Sequence, residues 1–434
     1  MRKFKSIWKT TSTKARVVRT IACLLILRLL CAIPTPGVNG DFFSYILETN
    51  GSLMFLDALT GGGLSTLSVV ALSITPYITA SIVIQLLAVI FPKIKEMQKG
   101  MEADKKKIGR ITILTGTALA LFQGLAMSAA FGQMGMLIEY KWYWILCVAG
   151  IWTIGSTLLS IAGKFMTDKS RYFIGNGVSL ILVTNILSSY PIDIMKIVSR
   201  IRMEDKTWVI ILASIFGIVA VILVFLFTTF MQDCEKDLTV IYSGKIEANG
   251  SQAHHSQIPI KLCPGGVVPI IFASTILTIP ALAAEALTHW EWLQVFVSSS
   301  WFDRQHPFYS LGVILYILLI FGFSYYYTDM VFNADEVAAN IKKAGGNIAG
   351  IRAGAPTAAY IRRQIRFMIA FGATALSILA VVPLVVSGVA GLSNLAFLGT
   401  SVVITVGVLL DTRKAVKVQS IPNTYKKKGG LFHA

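Results

Sequence analysis

Ile74 and Ile78 stand four residues apart on either side of Pro76, in the rather polar opening of a long apolar run. That spacing puts them on one helix face, and a β-branched side chain is stiff at its first torsion. Stiff apolar side chains around a pore can hold back ions by dewetting, without hydrogen-bonding to whatever passes. The same pair fits ordinary core packing, which the residues alone favour. Other chemistry is scarce. His254, His255, His289, His306 and His433 all fall in loops or the tail. There is no phosphate-cradling G-x-x-x-x-G-K-[ST] loop, and Gly175-Asn176-Gly177 reads as a tight turn opening a helix. Cys23, Cys31, Cys147, Cys234 and Cys263 show no paired spacing. Neither disulfides nor a metal site is expected, and Cys147 is expected to be a small buried apolar residue. No catalytic residue and no cofactor is implied.

The chain carrying this pair has 434 residues, 55% hydrophobic and only 14% charged, with a mean hydropathy of +0.68. No soluble domain has that balance. Runs long enough to cross about 30 Å of hydrocarbon recur at roughly 17–35, 74–91, 111–131, 143–163, 174–190, 208–230, 267–287, 308–328, 366–386 and 394–411. An even count places both termini on one side. Of the 39 Lys and Arg, 32 fall in the termini and in the connections on that side, and six fall opposite. The positive-inside rule therefore puts both termini in the cytoplasm. The net charge of +17 mostly reflects this bias and attraction to anionic lipids. A basic face that docks ribosomal RNA or an acidic protein is the alternative.

Spans two to six contain no Asp, Glu, Lys or Arg, and Arg28 in the first span is the exception. So few intramembrane charges argue against ion-coupled transport. Arg28 reads as a structural residue satisfied by backbone carbonyls or a partner helix. Two irregular segments occupy matching places. Gly61-Gly62-Gly63 leads into a run containing Pro76, and Gly265-Gly266 leads into one containing Pro269 and Pro280. Such matched segments point to a centre between two inverted repeats. The second, fifth and seventh spans carry polar residues such as Thr79, Gln85, Asn185, Ser274 and Thr275, and read as interior, whereas the sixth is apolar all round. Residues 53–67 are too short and glycine-broken to span. They read either as a short helix folded back into a funnel or as a surface-lying loop.

Longer stretches carry a resemblance. They are Ile33-Pro34-Thr35-Pro36-Gly37-Val38, GGGLSTLSVVALSITPYITASIVIQLL (61–87), IGNGVSLIL (174–182), GGVVPIIFASTI (265–276), NADEVAANIKKAGGNIAGIRAG (333–354) and LGTSVVITVGVLLD (398–411). In this order they resemble the SecY family, the central subunit of the general protein-secretion channel. The resemblance implies an all-α polytopic membrane protein, with ten transmembrane helices in two inverted five-helix halves around a central pore. The halves would be residues 1–190, with a plug at about 53–67, and 191–411, with cytoplasmic loops at about 231–266 and 331–366; residues 412–434 would form a cytoplasmic tail. By motif, the pore ring falls on Ile74, Ile78, Leu182, Ile271 and Ile404, and the plug on Leu56, Leu59 and Gly62. The lateral gate falls on Thr79 and Gln85 against Ser274, Thr275 and Ile279. Arg352, with Lys342 and Lys343, falls where cytoplasmic partners dock.

The implied partners are the small membrane subunits SecE and SecG, the SecA motor ATPase, the ribosome, and secretory and membrane polypeptides, in a bacterial plasma membrane. The implied role is a passive conduit and no enzyme. Two departures stand out. Met231-Gln232-Asp233-Cys234-Glu235-Lys236-Asp237 is acidic where relatives are Arg-rich, and Ala349-Gly350-Ile351-Arg352-Ala353-Gly354 replaces a proline-flanked tip. They leave open an accessory, substrate-restricted variant. A small-solute secondary transporter is the reading from another class.

Overall fold

Pro76 and Pro269 each occupy the first turn of a helix instead of breaking one. An N–H is surplus there, so the missing donor costs nothing and the fixed φ suits the helix. These two helices set the frame of the computed structural model, which describes residues 13–40, 57, 59–168, 172–201, 219, 222–242, 254–286, 311–348, 350–390 and 398–429. In chain order the elements are α1 (Thr13–Leu30), α2 (Thr75–Ile90), α3 (Pro92–Lys99), α4 (Glu102–Phe131), α5 (Trp142–Asp168) and α6 (Gly177–Ile201). An apolar helix α7 (Ile222–Asp233) follows. Then come β1 (Glu235–Tyr242), β2 (His254–Lys261), α8 (Val268–Ala286), α9 (Leu311–Val331), α10 (Ala334–Lys343), β3 (Gly346–Ile348), α11 (Ala355–Ala390) and α12 (Leu398–Gly429).

Among the described residues, four helices are long and apolar enough to cross a membrane, or five if the pair α2–α3, bent by 119°, counts as one span. α2 packs on α4, α5 and α8; α6 packs on α5, α12 and α1; α8 packs on α9, which packs on α11. Small residues bring backbones together: a Cβ on Gly116 of α4 would lie 3.2 Å from Tyr77 Cα of α2. Such close approach is how helices gain contact where lipid offers no hydrophobic drive. One apolar cluster joins α1, α2, α5 and α6 to α8, α9, α11 and α12. A second surrounds the fully buried Trp152 between α4, α5 and residues 64–72. Leu25 and Leu29 of α1 and Leu223, Leu226 and Phe230 of α7 stay exposed, as lipid-facing residues do.

The structure revises several expectations. The class is mostly helical rather than all-α, because β1 pairs antiparallel with β2 (Leu238↔Ile258, Val240↔Ser256) and with β3 (Val240↔Ile348). The sheet order is β2-β1-β3. Alternating Leu238, Val240 and Ile260 bury one sheet face with Ile341, Ile361 and Ile365 of α10 and α11. Several helices overrun their apolar runs: α11 begins at Ala355 and α12 continues to Gly429, through much of the expected tail. Hydropathy marks only the part in hydrocarbon, and a helix continues into water when it has contacts there. Cys147 is exposed on α5, not buried, because an apolar residue facing lipid needs no core. Asp57, Leu59 and Thr60 are helical and residues 61–74 run in turns, with one bridge from Ser68 to Pro34; residues 53–56, including Leu56, lie outside the described set.

Candidate functional site

Four of the five expected ring residues are buried: Ile74 and Ile404 wholly, Leu182 nearly so and Ile78 at 9% exposure. All four belong to the central cluster, and the half-buried Ile271 packs against it. Ile74 caps α2 just outside its first turn, and its carbonyl accepts from Ile78 N at 3.1 Å. Its Cδ1 would lie 3.2 Å from a Cβ on Gly163 of α5, so that glycine makes room for it. Leu59 of the expected plug sits in the same cluster.

The expected plug segment is held by polar groups. Asp57 Oδ1 accepts from Leu64 N (3.1 Å) and Ser65 N (2.8 Å), while its carbonyl accepts from Gly62 N at 3.0 Å. Arg28 Nη2 donates to the Gly61 carbonyl, the structural role its solitary charge suggested. Asn185 Nδ2 of α6 donates to Ser73 Oγ at 2.8 Å and to the Leu59 carbonyl at 3.4 Å. Gly61 (φ +71°) and Gly62 (φ +80°) take left-handed backbone, which glycine adopts without cost. The returning chain pairs with the stretch after α1. Val69 N donates to the Ile33 carbonyl, and Thr35 N to the Leu67 carbonyl, both at 2.9 Å. Trp152 Nε1 donates to Thr35 Oγ1 at 3.0 Å.

At the expected gate, α2 and α8 lie side by side. Thr79 Oγ1 donates to the Thr75 carbonyl (3.1 Å), and Ser274 and Thr275 hydroxyls to the Ile271 carbonyl (3.0 and 2.6 Å). Gln85 Nε2 donates to Ser81 Oγ at 3.1 Å, and the Gln85 carbonyl accepts from Tyr326 of α9. The Thr79, Ser274 and Thr275 hydroxyls are thus satisfied within their own helices, which lets polar side chains sit at membrane depth. Ile279 lies on α8, and its side chain is outside the described set.

The docking candidates flank the short strand β3. Lys342 and Lys343 end α10, and Arg352 follows β3; all three are exposed. Asn333 caps α10, its Oδ1 accepting from Asp335 N at 3.2 Å. The Arg352 carbonyl accepts from Thr357 Oγ1 at 2.8 Å, between Gly350 (φ +77°) and Gly354 (φ +113°). The unusual acids are paired within the chain: Lys414 of α12 lies 3.5 Å from Asp233 and 3.3 Å from Glu235. Both carboxylates pull the Lys414 ammonium pKa above the ordinary value, against partial burial, which alone would lower it. Burial pushes the Cys263 thiol up to about 12, with Cys234 nearby adding to the rise.

Sequence reading placed Asn185 inside the bundle but gave it no partner, and it passed over Asp57, Trp152 and Tyr326. The partners of Asn185, Trp152 and Tyr326 lie on distant elements, so local pattern carries no sign of them, whereas Asp57 bonds within its own segment.

Stacked apolar helices of membrane length, with irregular backbone kept inside the bundle, define a multi-pass helical membrane protein. The family model described as SecY matches residues 68–413. The protein translocase subunit SecY of Staphylococcus epidermidis is 31% identical over 435 residues, 98% of this chain and 99% of that one. The subunit of the same name from Thermotoga maritima is 33% identical over 444 residues, 99% and 98% of the two chains. The chain belongs to the SecY family. Among solved structures, a protein-conducting channel is similar with a TM-score of 0.68 at 16% identity, covering 95% of this chain and 94% of that one. Sec61 in the canine ribosome–channel complex is similar with a TM-score of 0.67 at 16% identity, with the same coverage. These two likenesses speak to the fold alone.

Proposed function

We propose that this chain is the protein-conducting channel of a bacterial plasma-membrane translocase. Secretory polypeptides thread through a ring of Ile74, Ile78, Leu182, Ile271 and Ile404, displacing a plug that includes Leu59 and Gly62. Hydrophobic segments leave sideways between α2 and α8, past Thr79, Gln85, Ser274, Thr275 and Ile279. The observation that carries the reading is the central cluster, where four ring residues from three distant elements meet Leu59. Lateral exit is driven by partitioning, which favours lipid by a few tenths of a kcal/mol per Leu or Ile.

Ten spans in two halves, 1–190 and 191–411, with both termini cytoplasmic, complete the architecture. The division accounts for the like starts of α2 and α8, each with Pro in its first turn. With no phosphate-cradling G-x-x-x-x-G-K-[ST] loop in the sequence, the work comes from partners. A ribosome, or the SecA motor, docks at the exposed Arg352, Lys342 and Lys343, with SecE and SecG alongside. The pairing of Asp233 and Glu235 with Lys414 favours a second form of this reading, an accessory channel with its own substrates. The test is photocrosslinking from Ile78 to a ribosome-stalled secretory chain in native membranes. A crosslink that depends on the signal sequence is expected. Silence at Ile78, from a correctly inserted protein, would remove the pore assignment.

A further inference from the structure

Ser73 is wholly buried, precedes Ile74 directly, and holds a left-handed backbone at φ +50° although it is not a glycine. A residue keeps such a conformation only where its surroundings enforce it. Two bonds do so: Ser73 N donates to the Val70 carbonyl at 2.8 Å, and Ser73 Oγ accepts from Asn185 Nδ2 at 2.8 Å. Asn185 is 4% exposed and lies three residues after Leu182, on the same helix face. Its amide has two protons; the second points to the Leu59 carbonyl, 3.4 Å away. The plug also lies flush on this residue. A Cβ on Gly61 would fall 2.7 Å from the Asn185 carbonyl oxygen and 2.8 Å from its Cα.

One amide therefore touches the plug, through Leu59, and the backbone that aims the first ring residue, through Ser73. We propose that Asn185 is a positioning residue that couples plug seating to the set of Ile74. The inference rests on the plug and ring reading above. When the plug leaves, the amide loses an acceptor in an apolar surround, where an unpaired donor is costly. The plug is held by that cost. A polypeptide that pushes Ile74 aside draws Ser73 off the same amide and so loosens the plug, which makes entry at the ring the signal for release.

The test is single-channel recording without substrate, on the channel with its membrane partners in planar bilayers. Hydrogen bonds between membrane helices commonly shift an equilibrium by about 3- to 18-fold. Asn185→Leu should raise the resting open probability by that factor and leave the open-channel amplitude unchanged; a general packing defect would change the amplitude too. Ser73→Gly should raise it no further than Asn185→Leu does. The double variant should match Asn185→Leu within about twofold, because both act through one amide. Effects that multiply, or an open probability unchanged in Asn185→Leu, would overturn the coupling. If Asn185→Leu does not assemble, an unchanged Ser73→Gly overturns it. Deletion of residues 57–67 separates the two failures: if it too leaves the channel shut, the plug reading itself is wrong.

Discussion

Gly61→Ala is the sharpest probe of how the proposed plug is held, because Gly62 supplies a control one residue away. Both glycines have left-handed backbone, φ +71° and φ +80°, so each alanine carries a conformational cost of about 1–2 kcal/mol. They differ in what the new methyl meets. At Gly61 it lands 2.7 Å from the Asn185 carbonyl oxygen, 2.8 Å from Asn185 Cα and 2.8 Å from Arg28 Nη1. The first two are helix backbone and cannot swing away, and overpacking of this kind costs about 1–3 kcal/mol. At Gly62 the nearest atom is Ser65 Oγ at 3.6 Å, an ordinary contact. The sum is about 2–5 kcal/mol against seating for Gly61→Ala and about 1–2 for Gly62→Ala. At about 1.4 kcal/mol per factor of ten, the unseated fraction rises about 30-fold or more in the first and about 5- to 30-fold in the second. The assay is ion conductance of the reconstituted channel without substrate. Equal leak from the two variants, with both correctly inserted, would refute the claim that the plug rests on α6 at Asn185.

Further outcomes follow from the same geometry. Ile78→Asn should wet the constriction and raise ion leak through planar bilayers, since a polar side chain weakens dewetting; unchanged conductance would move the ring elsewhere. Arg352→Glu should slow partner-driven secretion in a complemented depletion strain while membrane assembly, followed by protease protection, stays normal. The thiol of Cys263, buried with its pKa pushed up to about 12, should resist maleimide at pH 7 to 8 until the protein is unfolded. Lys414→Ala should lower stability by no more than about 0.5 kcal/mol, because its partners are solvent-screened. With the folded pKa raised, the Lys414 contribution should be constant through neutral pH. It should fade only as pH passes upward from the ordinary lysine value of 10.5 through the higher folded value, read from melting curves across that range.

Which parts of this were legible from residues depends on distance along the chain. Ile74 and Ile78 could be paired because one helical turn separates them. Leu182, Ile271 and Ile404 come from separate helices, and only family resemblance grouped them. The strands carry a readable signal, the alternation of Leu238 with Val240 and of Ile258 with Ile260, short and flanked by the charges of Glu235, Lys236 and Asp237. The Asn185 bonds bridge 112 and 126 residues, and nothing near Asn185 announces either partner. Burial within the spans was the hardest to read. Cys147 and Val148 are neighbours on α5 and both apolar, yet the first faces outward and the second is enclosed, because lipid and core reward the same side chains.

The small sheet has a consequence for inheritance. β1 and β2 come from the connection between α7 and α8 and β3 from that between α10 and α11, and Val240 of β1 pairs with Ser256 on one flank and Ile348 on the other. A gene exchange that swaps one loop alone would leave a ladder facing a stranger's register. The two loops are therefore expected to travel together between lineages. A chimera built to transfer docking preference should graft residues 233–263 and 332–354 as one block, together with Lys414, the partner of Asp233 and Glu235.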